Sequence, residues 1–155
     1  MADANRHWLL RFSMQTFEAD LADLQPSQLY VSEKKLAEIE RELGECRPMK
    51  PVPVKLLGGR RVLTDGHTRA FAAFRRGDRT IPAFWETDEL DWEAYQICVG
   101  WCLEAGIGSV ADLVGRVLTS DDYKRLWLDR CRAMHVERSR GDELAACAKE
   151  ESKDE

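Results

Sequence analysis

Residues 63–85, "LTDGHTRAFAAFRRGDRTIPAFW", constrain this chain more than any other stretch. They read as strand, glycine turn, helix, turn and strand. Asp65-Gly66 ends the first strand. Ala70, Phe71, Ala73 and Phe74 then recur at spacings that give a helix from about 68 to 76 one buried face. Gly77 closes that helix, and "RTIPAFWE" returns to an extended pattern.

The junction at Asp65, Gly66, His67, Thr68 and Arg69 is chemically specific. A helix N-terminus carries unsatisfied N–H groups and about half a positive charge. A phosphate placed there accepts several hydrogen bonds from backbone alone. Gly66 lets backbone approach an anion closely. Thr68 can add a hydroxyl. Arg69 can fork two N–H bonds to phosphate oxygens. Asp65 would repel a bare phosphate, which leaves it three roles: holding Mg²⁺, accepting a hydroxyl proton, or fixing His67 or Arg69. His67 could donate to a phosphate or a leaving oxygen. The plain alternative is a common Asp-Gly turn, a threonine near a helix start and an Arg69–Asp65 pair. By spacing alone D-G-x-x-R is a weak signal.

The rest of the chain organises around this stretch. Ser32 can cap "EKKLAEIERELG", whose Leu36, Ile39 and Leu43 lie at helical spacing. Val52, Val54 and Leu56 alternate as in a strand, and Gly58-Gly59 signals a hairpin to "RRVLT". "LQPSQLYV" reads as a turn leading into a short extended segment. Residues 1–20, with Trp8, Leu9, Leu10, Phe12 and Phe17, show no clean period. Beyond residue 88, Asp91, Ser109 and Ser120 can each cap a helix. Trp92, Trp101, Tyr123 and Trp127 supply apolar surface, which is core or else a dimer face or pocket wall. From 139 onward the chain is small, polar and charged, as in a disordered acidic tail.

Composition excludes several classes. The 155 residues carry a formal net charge of −5, which argues against a general nucleic-acid surface and against DNA as a partner. Six arginines between 60 and 79 make the middle locally basic, a patch sized for a small anion. No apolar run approaches the roughly 18 residues of a membrane span, and no signal peptide is evident, so a cytoplasmic location is expected. Five scattered cysteines suggest buried thiols rather than a disulfide framework.

Residues 23–86 resemble the ParB/sulfiredoxin superfamily in its ParB N-terminal-like form. The matching text is "LQPSQLYVSEKKLAEI" followed by "PVPVKLLGGRRVLTDGHTRAFAAFRRGDRTIPAFW". The resemblance implies an α+β fold with a small mixed sheet and a C-terminal helical extension. It divides the chain into 1–22, a nucleotide-binding domain at 23–88, a helical extension at 89–138 and a tail at 139–155. It implies that Gly66, His67, Thr68 and Arg69 hold the phosphates of ATP, ADP or CTP, with Mg²⁺ at Asp65. Departures from the family narrow the activity. Sulfiredoxins have a reactive cysteine where this chain has His67. Partition proteins of the ParB type, which bind CTP, use an arginine-rich motif that is absent here. Kinases of the free-serine type share D-G-H-x-R, which implies catalytic roles for Asp65 and His67 on a small hydroxyl substrate. Those kinases place a glutamate where this chain has Gln28, and an amide cannot act as a general base. The expected protein binds a nucleotide. It is a phosphotransferase, a non-catalytic sensing or adaptor module, or a DNA-associated ParB relative with a helix-turn-helix in residues 91–135, and a homodimer is compatible with each.

Overall fold

The computed structural model describes residues 15–152. The described residues form seven strands and five α-helices. Strand β1 is Thr16–Asp20, β2 is Leu24–Pro26 and β3 is Val31–Ser32. Helix α1 is Glu33–Gly44. The hairpin β4 (Val52–Leu57) and β5 (Arg60–Leu63) leads into α2 (His67–Arg75) and β6 (Thr80–Trp85). Helix α3 is Trp92–Glu104. A 3₁₀ turn and β7 (Val117–Leu118) precede α4 (Ser120–Tyr123), which continues through a π turn at Lys124–Leu128 into α5 (Asp129–Glu151).

Five strands form a mixed sheet in the order β1-β6-β4-β5-β2. The hairpin β4–β5 is antiparallel, while β4 runs parallel to β6, and β5 parallel to β2. Gly58 and Gly59 close the hairpin at φ of 55° and 76°, the paired left-handed geometry that their sequence signalled. β3 and β7 form a separate parallel pair. This architecture is α+β, as expected.

One face of the sheet carries Ala19, Val52, Val54, Leu63, Ile81 and Ala83, all essentially inaccessible to solvent. Ala70 and Ala73 of α2 are buried in the same cluster. The small alanines let the helix approach the sheet closely, which fixes the strand-to-helix junction at the end of β5. The same cluster takes in Cys102, Ile107, Leu113, Tyr123, Trp127 and Met134. Among the described residues the helical extension therefore packs into the same core as the sheet.

Four expectations change. The sheet gains β1, which pairs with β6 along its whole length, upstream of residue 23. The stretch 109–119 makes only a 3₁₀ turn and β7, because Gly115 at φ 80° stops it. Thr119, not Ser120, caps α4, its hydroxyl accepting from the Asp122 amide. The chain stays helical to Glu151, where composition suggested disorder. Leu, Ala, Glu, Lys and Arg are strong helix formers, and this segment extends a helix already anchored by Trp127 and Met134, so it needs no new nucleus. Trp8, Leu9, Leu10 and Phe12 lie outside the described residues.

Candidate functional site

The junction is built around Gly66. It holds the N-cap position of α2 at φ 75° and ψ 23°, a left-handed conformation that glycine adopts without strain. A Cβ there would sit 2.7 Å from Val52 Cγ1 and 3.0 Å from Arg69 Nη2. Two demands thus fall on one residue: the turn needs positive φ, and its neighbours leave no room for a side chain. Asp65 Oδ1 accepts from the Gly66 amide at 2.7 Å, tightening the turn.

Helix hydrogen bonding begins with the Ala70 amide donating to the Gly66 carbonyl at 2.9 Å. The amides of His67, Thr68 and Arg69 precede it and find no carbonyl among the described residues. Among the described residues no side chain caps them. Arg69 stands beside them. Its Nη1 donates to the carbonyls of Lys50 at 3.1 Å and Pro51 at 2.8 Å. That anchors the guanidinium with Nε and Nη2 still able to donate. Burial pulls the Arg69 pKa down, and the Asp65 carboxylate opposes the shift. Arginine remains charged through such a change.

His67 behaves differently. Its ring is buried, and Nε2 accepts from the Ser27 amide at 3.0 Å. Ser27 Oγ in turn donates to the Leu63 carbonyl at 2.7 Å. The imidazole thus pins the exit of β2 to the start of α2. Burial lowers its pKa from 6.5 to about 4, with Asp65 opposing. At neutral pH the ring is uncharged, and with Nε2 accepting, its proton is on Nδ1.

Two concavities flank the junction. An outer groove of about 750 Å³ is lined by Lys50, Asp65, Arg69, Phe84, Glu86 and Tyr95, among others. An inner cavity of about 230 Å³ is lined by Ser27, Gln28, His67, Cys98, Trp127 and Cys131, among others. Thr64 and Tyr95 line both. Residues two apart on a helix project about 200° apart. The motif therefore splits, with Arg69 on the groove and His67 on the cavity. Asp65 is exposed at the groove. Thr68 is buried and lines neither space.

Gln28 sits at the cavity, and its Nε2 donates to the Tyr30 carbonyl at 2.7 Å and to the Tyr123 hydroxyl at 2.9 Å. Glu33 is exposed at the start of α1 and lines neither space. Glu86 and Tyr95 are groove residues that the motif did not indicate. Glu86 follows the last residue of β6, and Tyr95 lies in the first turn of α3, so only their distance from the motif hid them. Among the described residues no group of three His, Cys, Asp or Glu side chains could hold a metal. Mg²⁺ is commonly bound through one or two carboxylates plus substrate phosphates. Asp65, a single carboxylate at the groove, fits that arrangement.

No protein-family model matches the chain, and no curated protein matches it. Among solved structures it is similar to a protein of Agrobacterium tumefaciens at 17% identity and TM-score 0.46, over 64% of this chain and 61% of that one. It is similar to C-terminally truncated ParB of Caulobacter crescentus, complexed with CTP-gamma-S, at 21% identity and TM-score 0.41. That match covers 57% of this chain and 53% of ParB. Sulfiredoxin of Arabidopsis thaliana matches at 16% identity and TM-score 0.42, over 54% of this chain and 96% of its own. Likeness at this level assigns no residue a role.

Proposed function

We propose that this chain binds a nucleotide, with the phosphates seated in the outer groove at the start of α2. One observation carries the reading. Three consecutive amides, those of His67, Thr68 and Arg69, lack carbonyl partners beside an anchored guanidinium that still has donors. Amides at a helix start and a planar cation make a fitted cradle for phosphate oxygens. Gly66 gives the turn the left-handed conformation that starts α2 there. Asp65 would share a Mg²⁺ ion with the phosphates, and Mg²⁺ would neutralise phosphate charge against Asp65 and Glu86. Phe84, Leu90 and Tyr95 give the groove apolar surface for a base. ATP, ADP and CTP are the nucleotides to compare.

A second reading, phosphoryl transfer to a small hydroxyl compound, is favoured by the meeting of the two concavities at Thr64 and Tyr95. An acceptor reaching from the inner cavity past Thr64 and Tyr95 into the groove would give its hydroxyl proton to Asp65. His67 would position the β2 exit and offer only Nδ1–H, since its low pKa unsuits it to proton transfer at pH 7. Phosphoryl transfer rests mainly on positioning and charge neutralisation, so Gln28 does not forbid it.

Calorimetric titration of the three nucleotides, with and without Mg²⁺, tests the binding. Saturable binding of at least one, strengthened by Mg²⁺, supports the reading, and no binding of any rejects it. Consumption of the bound nucleotide only when a hydroxyl compound is added selects the kinase. Binding without turnover across a panel of such compounds selects the sensing or adaptor module.

A further inference from the structure

The inner cavity holds a donor that no group among the described residues uses. His67 is only 4% exposed and lines this space. Its Nε2 accepts from the Ser27 amide at 3.0 Å, so the ring proton is on Nδ1 and finds no acceptor among the described residues. Nor is Nδ1 sealed in the core. The one fully buried side-chain N or O atom without a partner among the described residues is Gln25 Oε1. The Nδ1–H group therefore opens on the cavity.

Three lining neighbours have only acceptors left to give. Ser27 bonds His67 directly, Gln28 follows it, and Thr64 follows Leu63. Ser27 Oγ donates to the Leu63 carbonyl at 2.7 Å, and Thr64 Oγ1 to the Pro53 carbonyl at 3.4 Å. Each hydroxyl has thereby used its one proton and keeps a lone pair. Gln28 Nε2 donates to the Tyr30 carbonyl and the Tyr123 hydroxyl, which leaves Oε1. One donor beside several acceptors is matched by a hydroxyl group, whose oxygen accepts one bond while its proton makes another.

The opposite walls are apolar. Ala94 of α3, Trp127 of the π turn and Met134 of α5 are all buried there. No lysine or arginine among the described residues lines the cavity. Its one carboxylate, Asp91, is exposed and held by both Nη atoms of Arg138. Its second imidazole, His135, is exposed as well. A charged ligand drawn inside would lose water without meeting a buried counter-charge. The volume of about 230 Å³ exceeds the roughly 150 Å³ that holds a benzene molecule in an apolar protein cavity.

We propose that the inner cavity binds a small uncharged alcohol, its hydroxyl between His67 Nδ1–H and the neighbouring acceptors, its hydrocarbon body against Ala94, Trp127 and Met134. Amino acids and phosphorylated alcohols, which carry charge, fall outside this class. As the acceptor class for phosphoryl transfer the alcohol rests on that reading of the groove. The binding itself needs no nucleotide.

The test titrates the ¹⁵N-labelled full chain with benzyl alcohol, cyclohexanol and 1-hexanol, without nucleotide or Mg²⁺. NMR follows the His67 imidazole nitrogens and the Trp127 indole. At least one alcohol should shift both saturably. Benzoate and benzylammonium, charged analogues of benzyl alcohol, should bind at least about tenfold more weakly than the best alcohol. Ala94→Phe fills the cavity from its own wall and should abolish the shifts. If that variant fails to fold, the comparison of neutral and charged ligands on the wild type carries the test. The proposal is overturned if none of the three alcohols moves His67 saturably, if a charged analogue binds as tightly as the best alcohol, or if the shifts persist in folded Ala94→Phe. Nucleotide binding without alcohol binding would sink this proposal and leave the groove reading standing, and the converse would do the opposite.

Discussion

Acidification should destabilise this protein through a single imidazole. The buried ring of His67 has its pKa lowered from 6.5 to about 4. In the unfolded chain the same ring takes up a proton near its ordinary pKa. Between the two values the unfolded state therefore binds more protons than the folded state, and stability rises with pH through that window. Falling pH removes stability from about 6.5 downward, at no more than about 1.4 kcal/mol per pH unit, and the loss is complete near the folded value. Integrating from pH 7, the loss is about 2 kcal/mol by roughly pH 4.5 and about 3 kcal/mol by roughly pH 4. Carboxylates titrate in the same range, so the contribution must be isolated by difference. His67→Gln removes the titration yet keeps an acceptor oxygen within reach of the Ser27 amide. Urea denaturation of both proteins across this range should show the wild type losing about 2 kcal/mol more than the variant by roughly pH 4.5. Parallel losses would refute the reasoning, as would an NMR titration placing the imidazole near 6.5. Success would also bear on function. A neutral His67 would bring no charge to phosphates at the proposed site, where that task would fall to Arg69.

Three further substitutions probe the junction. Gly66→Ala places a Cβ against Val52 in a left-handed turn, and should cost about 2–4 kcal/mol in urea denaturation from strain plus overpacking. An unchanged midpoint would contradict the turn geometry. Gln28→Glu removes the donor to the Tyr30 carbonyl and the Tyr123 hydroxyl, and should destabilise by about 1–3 kcal/mol. Equal or greater stability would show that the side chain is not held as described. Arg69→Lys cannot both hold the Lys50 and Pro51 carbonyls and fork to a phosphate, so nucleotide affinity should fall about tenfold or more with the fold retained. Unaltered affinity in calorimetry would remove Arg69 from the site.

The junction was legible because three local signals agree there. A strand pattern gives way to a helical one, glycine stands where φ must be positive, and alanines fall on the face that meets the sheet. The hairpin at Gly58 and Gly59 was legible for the same reason. Strand β1 was not. Only Phe17 and Ala19 mark its inner face, and its partner β6 lies some sixty residues away. The central place of β4 was equally hidden, since its pairing with β6 is long-range and parallel. At the site, the sequence put Asp65, His67 and Arg69 side by side, but helical geometry turns His67 and Arg69 to opposite walls. Burial then decides His67, whose ring is committed to Ser27, forty positions away in sequence. The acidic C-terminal segment shows the reverse error, where composition outweighed helix propensity and the anchored helix before it.

The central claim is that a phosphate sits on the open amides at the start of α2. Amide chemical-shift mapping tests it most directly. Titrating the ¹⁵N-labelled protein with Mg²⁺ and the tightest-binding of ATP, ADP and CTP should move the Gly66, His67, Thr68 and Arg69 amide signals most. Arg69→Ala should demand a higher nucleotide concentration for the same shifts. Perturbations confined to other parts of the chain, or none at saturating nucleotide, would contradict the account.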